Sequence, residues 1–141
     1  LVEIIRKLKR PYVRYTRADE KNVRKADGLI IDCFGLLSSI YRYGEIAYIG
    51  GGFGVGIHNT LEAAVYGIPV IFGPKYQKFQ EAIQLLEAKG AFSVKDYEEL
   101  KTLLDRMLTD EVFLRESGMN ASNYVTGNAG ATDKIMSMIN F

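Results

Sequence analysis

The hydrophobic residues of this chain fall into short runs of two kinds, separated by glycine, proline and polar clusters. Five runs have the length and composition of β-strands: residues 12–15, 28–34, 45–49, 69–72 and 91–94. The run 28–34 is apolar almost throughout, which predicts a strand covered on both faces.

Between these runs, apolar residues recur at helical spacing. The spacing predicts a first helix from Leu1, a helix or turn over 36–43, and helices over 60–66, 77–89, 96–108, 111–126 and 132–139, with 22–27 as a polar connector or short helix. Gly67 and Gly90 stand where two helices should stop, and Asp96 stands at an N-cap position. Strands that alternate with helices predict an α/β fold, with a parallel sheet flanked by helices and ligands at the carboxyl ends of its strands.

A glycine-rich turn follows the third predicted strand. Residues 50–62 read GGGFGVGIHNTLE and connect the run 45–49 to the predicted helix 60–66. Glycines between a strand and a helix leave backbone amides bare in front of the helix amino terminus, where the helix dipole favours an anion. The pattern therefore predicts a phosphate-binding turn.

The spacing excludes two common phosphate motifs. The dinucleotide fingerprint G-x-G-x-x-G fails because Val55 or Ile57 stands where the third glycine belongs. The P-loop fails because Ile57 and His58 occupy the positions that require lysine and then serine or threonine.

Asn59 and Glu62 admit two interpretations. Asn59 is a preferred N-cap residue and Glu62 follows three positions later, as in a capping box, so the pair could serve only to close the end of a helix. Alternatively, both bind a ligand. The glycines ahead of them favour a ligand site, because a helix cap does not need them.

Composition fits one compact domain over residues 1–141, since 48% of the residues are hydrophobic and 25% are charged. Cys33 is the single cysteine, so no disulfide can form within the chain, and a reducing, cytoplasmic setting fits best. No apolar run approaches the roughly 20 residues that span a bilayer.

The basic residues are concentrated at the amino end, although the net charge is only +1. A basic end can approach anionic lipid or nucleic acid, or it can simply be a solvated helix face. The chain begins at Leu1, inside a helical pattern, which we interpret as a piece of a longer protein.

Residues 50–80 resemble the carboxyl-terminal domain of the 3-deoxy-D-manno-octulosonic acid (Kdo) transferases, enzymes of lipopolysaccharide synthesis. Those enzymes carry a glycine turn followed by Gly-His-Asn-x-Leu-Glu and then a strand that ends in Gly-Pro. The equivalent residues here are Gly56, His58, Asn59, Leu61, Glu62, Gly73 and Pro74, with Ile57 where many members have a second glycine. The similarity extends more weakly over most of the chain.

The resemblance implies the Rossmann-like, carboxyl-terminal half of a GT-B glycosyltransferase, with the acceptor domain and the catalytic carboxylate before Leu1. It implies transfer of Kdo from the donor substrate CMP-Kdo to a lipid A precursor at the cytoplasmic face of the bacterial inner membrane. The transfer would invert the anomeric carbon and use no metal or other cofactor. No catalytic residue is expected in this chain, and the expected partners are the donor and, through the missing domain, the lipid acceptor and the membrane surface rather than nucleic acid.

The resemblance also assigns donor-binding residues. We expect the turn to be formed by Gly51, Gly52, Gly54 and Gly56, the phosphate to be bound by Asn59 and the adjacent helix amides, and a ribose hydroxyl by Glu62. His58 either bonds the donor or ties the turn to the next strand. Lys78 and Gln80 are expected to reach the donor sugar, whose carboxylate attracts a cation. Tyr76 and Phe79 are expected in the core or at the rim.

Two other functions stay open at this point. One is a GT-B domain that uses UDP or GDP sugars, since no residue here can be named that reads the base. The other is a non-enzymatic nucleotide-binding or interaction module whose basic amino end is the docking surface.

Overall fold

The computed structural model describes residues 10–130 and 136–138. The chain forms two compact units, Leu1–Ile40 and Tyr41–Phe141, and each is presented by itself. The helix predicted from Leu1 lies outside the described residues, as does most of the helix predicted over 132–139, of which 136–138 are helical. The single domain over 1–141 stays a prediction.

The first unit contains a pair of parallel strands. Strand β1 (Tyr12–Arg14) pairs with strand β2 (Gly28–Ile30). They are connected by a 3-10 turn, Tyr15–Arg17, and by the short helix α1 (Glu20–Val23). Helix α2 (Leu37–Ile40) follows β2.

The prediction of a doubly covered strand over 28–34 is wrong. Strand β2 ends at Ile30, and 47% of Leu29 is exposed. Beyond β2, the carboxylate of Asp32 accepts hydrogen bonds from the amide (3.0 Å) and hydroxyl (2.8 Å) of Thr16 and lies 2.8 Å from Nε of Arg14. Asp32 is therefore bound by polar groups rather than covered by apolar side chains. The strand has already ended at Ile30.

The second unit contains a parallel sheet of three strands in the order β3, β4, β5. The strands are β3 (Ala47–Tyr48), β4 (Val70–Phe72) and β5 (Ala91–Ser93). The helices are α3 (Leu61–Ala64), α4 (Gln80–Glu87), α5 (Tyr97–Thr109) and α6 (Glu111–Asn128), and a 3-10 turn, Tyr41–Tyr43, precedes β3. Every residue of the central strand β4 is fully buried, so the core of this unit lies around it.

Glycines let helix α6 approach the backbone at the amino ends of β4 and β5. A Cβ atom on Gly90 would lie 2.6 Å from the amide nitrogen of Ala121. A Cβ atom on Gly118 would collide with the carbonyl oxygen of Gly67. The close packing of α6 against the segments that precede β4 and β5 therefore depends on glycine at positions 90 and 118.

The predicted helix ends are partly correct. Gly67 has φ of 71° after α3, as a stop residue should. Helix α4, however, ends at Glu87, and the left-handed residue is Lys89 (φ 59°) rather than Gly90. Gly90 is required for its contact with α6 instead.

Capping by aspartate matches the sequence pattern. The carboxylate of Asp96 accepts a 2.9 Å hydrogen bond from the amide of Glu99 at the start of α5. Asp110 does the same for Phe113 at the start of α6. Across the parts of the chain that the structure describes, no helix has the length and apolar character needed to cross a bilayer.

Candidate functional site

The glycine-rich segment folds into a narrow loop directly after β3. The amide of Gly52 donates to the carbonyl of Gly56 (2.7 Å), and the amide of His58 donates to the carbonyl of Gly50 (3.2 Å). These bonds form an antiparallel bridge between Gly51 and Ile57. The tip of the loop, residues 53–55, is exposed. We call residues 50–58 the glycine loop.

Two glycines of the loop are required by its backbone geometry. Gly51 and Gly52 have φ of 93° and 80°, which L side chains rarely adopt. A Cβ atom on Gly52 would also lie 2.7 Å from Cα of Gly73. Gly54, in contrast, faces open space, so its position tolerates a side chain.

The turn after β4 lies against the glycine loop. The amide of Lys75 donates a 2.9 Å hydrogen bond to the carbonyl of Gly52. Within the turn after β4, the side-chain amide of Gln77 donates a hydrogen bond to the carbonyl of Pro74 (2.9 Å). The chain segments that follow β3 and β4 therefore meet at the carboxyl edge of the sheet, where parallel α/β folds bind ligands.

The start of helix α4 joins the same cluster. A Cβ atom on Gly56 would lie 2.9 Å from the ring of Phe79, so that ring packs directly on the glycine loop. Lys78 and Gln80 flank Phe79 in the sequence and are exposed, and Gln80 is the first residue of α4. The structure thus brings this part of the chain to the loop, and the roles of Lys78 and Gln80 stay predictions.

Asn59 and Glu62 bond to each other at the start of helix α3. The Oδ1 atom of Asn59 accepts from the amide of Leu61 (3.0 Å), and its Nδ2 atom donates to Oε1 of Glu62 (3.0 Å). The N-cap residue is Thr60, whose side chain makes no capping bond. The predicted capping box is therefore replaced by a side-chain pair that orients Asn59 and Glu62 together.

Helix α3 is shorter than the sequence predicts. It spans only Leu61–Ala64, whereas the pattern predicts residues 60–66, since residues 65–67 form turns that end at Gly67. A helix dipole grows with the number of aligned peptide units, so four residues give little field. The sequence predicts that a helix dipole supports anion binding here, and this is wrong because α3 is too short to contribute much field.

The backbone amides of this region divide into used and unused donors. Gly52, His58 and Leu61 spend their amides on partners within the chain. In the described part of the chain, the amides of residues 53–55 and of Glu62 have no hydrogen-bond partner. The exposed tip of the glycine loop therefore carries donors that are open to a ligand.

His58 lies at the exposed base of the glycine loop. Its ring carbon Cδ2 is 3.7 Å from the position a Cβ atom would take on Gly50. The ring thus lies beside the first residue of the loop. Both interpretations of His58, donor binding and support of the turn, stay open.

Two further residues of this region have no signal in the sequence. Thr60 is 1% exposed, and its hydroxyl has no partner among the described residues. Burial, followed by the negative charge of Glu62, raises the pKa of Tyr41. Tyr41 is therefore close enough to Glu62 to sense its charge.

The described residues include no group of three or more histidine, cysteine, aspartate or glutamate side chains that could hold a metal ion. The expectation of a metal-independent reaction stays a prediction.

Comparison with known proteins confirms the resemblance to Kdo transferases. No protein-family profile matches the chain. The 3-deoxy-D-manno-octulosonic acid transferase of Aquifex aeolicus is 42% identical over 87 residues, which are 60% of this chain and 25% of that protein. That of Rickettsia bellii is 32% identical over 116 residues, 80% of this chain and 28% of that protein. That of Chlamydia trachomatis is 36% identical over 105 residues, 72% of this chain and 22% of that protein.

A solved structure shares the fold. The crystal structure of the C-terminal CMP-Kdo binding domain of WaaA from Acinetobacter baumannii matches with a TM-score of 0.74 and 19% identity, over 88% of this chain and 65% of that one. The predicted α/β fold, with parallel strands flanked by helices, is thereby confirmed. The chain spans about a quarter of the length of the curated relatives it matches.

Proposed function

We propose that this chain, a relative of the Kdo transferases, is the donor-binding part of a glycosyltransferase that moves Kdo from CMP-Kdo to a lipid A precursor. The observation that carries the proposal is the hydrogen bond between Lys75 and Gly52, which joins two loops at the carboxyl edge of the sheet. Both loops lie in the segment whose residues match the Kdo transferase motif.

In the proposed complex, the tip of the glycine loop receives the CMP phosphate. The leaving phosphate gains negative charge in the transition state, and fixed backbone amides stabilise that charge without reorganising. The amides of residues 53–55 are unpaired and exposed, so they are available for this task. They add to the helix amides expected from the sequence, of which that of Glu62 is also unpaired in the described part of the chain.

The pair formed by Asn59 and Glu62 suits the ribose. Oε1 of Glu62 is occupied by Asn59, while Oε2 has no partner in the described part of the chain and can accept from a hydroxyl. A carboxylate accepts hydrogen bonds from hydroxyl groups but repels a phosphate. Glu62 therefore fits the sugar of the nucleotide better than its phosphate.

The start of helix α4 suits the carboxylate of Kdo. Lys78 supplies a cation next to Phe79, and the first amides of an eight-residue helix point toward the same end. Lys78 and Gln80 would bind the donor sugar from this side of the glycine loop.

The remaining steps are assigned to other parts of the protein. We expect the acceptor hydroxyl to be activated by a residue outside this chain, and the lipid A precursor to be bound by an acceptor domain at the cytoplasmic face of the inner membrane. The reaction is expected to be inverting and independent of metal ions.

Calorimetric titration tests the proposal. We expect the chain to bind CMP and CMP-Kdo in preference to UMP and GMP. The heat of binding each ligand should be the same with and without EDTA. Preference for UMP or GMP would favour a different GT-B donor. Binding to anionic vesicles with steep salt dependence, without binding to CMP, would favour an interaction module instead.

A further inference from the structure

Phe53 lies at the tip of the glycine loop, and it is 50% exposed. Its ring is nevertheless held in place by a contact. A Cβ atom built on Gly73 would lie 2.8 Å from the Cδ2 atom of Phe53, so the ring packs on the turn after β4. Val55, at the same tip, is fully exposed. Phe53 therefore offers a fixed apolar surface, whereas the side chain of Val55 lies in solvent.

The ring of Phe53 lies next to free hydrogen-bond donors. In the described part of the chain, the amides of residues 53–55 have no partner, and these are the amides to which we assign the CMP phosphate. An apolar surface and an anion site thus share the tip of the glycine loop. A group that is bonded directly to the bound phosphate comes within reach of the ring.

The two limbs of the glycine loop lead to different parts of the proposed site. The first limb, residues 51–53, lies against Gly73. The second limb leads instead to Asn59 and Glu62, whose side chains bond to each other. The present inference rests on the proposed function, in which Asn59 and Glu62 bind the ribose. The transferred sugar, on the other side of the phosphate, then lies at the first limb, beside Phe53.

The chemistry of Kdo gives this ring a specific partner. Kdo is a 3-deoxy sugar, so its carbon 3 is a methylene group that carries no hydroxyl. This methylene is bonded directly to the anomeric carbon, which also carries the carboxylate and, in CMP-Kdo, the phosphate oxygen. A carboxylate attracts a cation such as Lys78, whereas a methylene is best buried against an apolar surface.

We propose that the ring of Phe53 packs against the carbon-3 methylene of bound Kdo and thereby selects a deoxy sugar. In a sugar with a hydroxyl at carbon 3, that hydroxyl would lose water against the ring, which offers it no conventional hydrogen-bond partner. Apolar sites reject an added hydroxyl by up to about 100-fold. Because Phe53 is half exposed, we expect a preference of about tenfold for the deoxy sugar.

Competition against CMP measures this preference. The two competitors are CMP-Kdo and the analogue of CMP-Kdo that carries a hydroxyl at carbon 3, and the measured quantity is the ratio of their dissociation constants. The parent chain should bind CMP-Kdo about tenfold more tightly than the analogue. A change in the phosphate site alters the binding of both donors alike, so it cancels in the ratio.

Two substitutions of Phe53 assign the preference to its side chain. Phe53→Ser should bring the ratio close to one, because serine removes the apolar surface and can bond the added hydroxyl. Phe53→Leu should retain the preference, because leucine keeps an apolar side chain at the same position. In the parent complex, nuclear Overhauser effects should connect the ring protons of Phe53 to the carbon-3 protons of Kdo.

The failure of this inference can be told apart from the failure of the proposed function. Equal binding of the two donors by a parent chain whose loop tip responds to CMP would overturn the inference and leave the proposed function intact. A preference that persists in Phe53→Ser, or that disappears equally in both variants, would also overturn it. If neither CMP nor CMP-Kdo shifts the amide resonances of residues 53–55 in the folded chain, the proposed function fails and this inference fails with it.

Discussion

The amide of Lys75 lies 2.9 Å from the carbonyl oxygen of Gly52 and donates a hydrogen bond to it. This bond connects the loop after β3 to the turn after β4. Gly73, between them, approaches the loop so closely that a Cβ atom would lie 2.8 Å from the carbonyl oxygen of Gly51. The geometry of the proposed donor site therefore depends on contact between two backbones.

Gly73→Ala should disrupt this contact. The new methyl group would meet the backbone of Gly51 and Gly52, so one of the loops must move. We expect the free energy of unfolding to fall by about 1–3 kcal/mol and CMP binding to fall at least tenfold. Urea denaturation and calorimetry measure the two effects.

Gly54→Ala is the matched control for that substitution. It makes the same chemical change in the same site, but its Cβ atom meets nothing within 4 Å. Its unfolding free energy should stay within about 0.5 kcal/mol of the parent chain. Equal losses of stability in the two variants would show that the loops are not in contact.

Lys89→Gly should stabilise the chain. The amides of Lys89 and Gly90 donate to the carbonyls of Leu86 and Leu85, which is a Schellman ending, and Lys89 takes its left-handed position. Glycine removes the cost of that conformation, so we expect a gain of about 1 kcal/mol in urea denaturation.

Lys101→Gly provides the contrast to this gain. It places the same residue inside helix α5, where glycine costs about 1 kcal/mol. If both lysine-to-glycine changes destabilise the chain, the left-handed ending at Lys89 is contradicted.

Thr60→Val should also stabilise the chain. The Thr60 hydroxyl is buried and has no partner among the described residues, so its desolvation is uncompensated. Replacing it by a methyl group of similar shape should raise the unfolding free energy by about 1 kcal/mol. Thr126→Val, at an exposed position of α6, should change little. A loss of stability in Thr60→Val would indicate that the hydroxyl is bonded in solution.

Asp32 should make the first unit sensitive to acid. The amide of Thr16, its hydroxyl and Arg14 lower the pKa of Asp32 below its usual 3.8. A carboxylate with a lowered pKa in the folded state stabilises that state above the unfolded pKa, and the contribution disappears as the pH falls through the lowered value.

The carboxyl carbon of Asp32 should therefore titrate in NMR with a midpoint below 3.8. As the pH is lowered from about 5, the unfolding free energy of this unit should fall less steeply in Asp32→Asn than in the parent chain. A midpoint at or above the usual value would contradict the contacts with Thr16 and Arg14.

Much of the second unit follows from the sequence. The alternation of strands and helices predicts β3, β4 and β5 in parallel, and the two glycine turns fall at the carboxyl edge, as the structure shows. Those predictions work because each depends on local patterns: glycine at a turn and apolar runs at a buried strand.

The errors come from interactions between distant residues. The run 28–34 is apolar, but Asp32 finds its partners at Thr16 and Arg14, which no local pattern records. Gly90 is a reasonable helix stop, yet its role is to admit Ala121 of α6. Asn59 and Glu62 are a local exception: their spacing identifies both residues, but it does not show that their side chains bond to each other.

The central claim is that the glycine loop binds the phosphate of CMP. Titration of the ¹⁵N-labelled chain with CMP tests it most directly, because the amides of residues 53–55 are unpaired and report on a bound anion. We predict saturable downfield shifts at Phe53, Gly54 and Val55, and smaller shifts at Glu62, that Gly73→Ala abolishes and Gly54→Ala retains. Saturable shifts located elsewhere, or none at 10 mM CMP in a folded chain, would contradict the account.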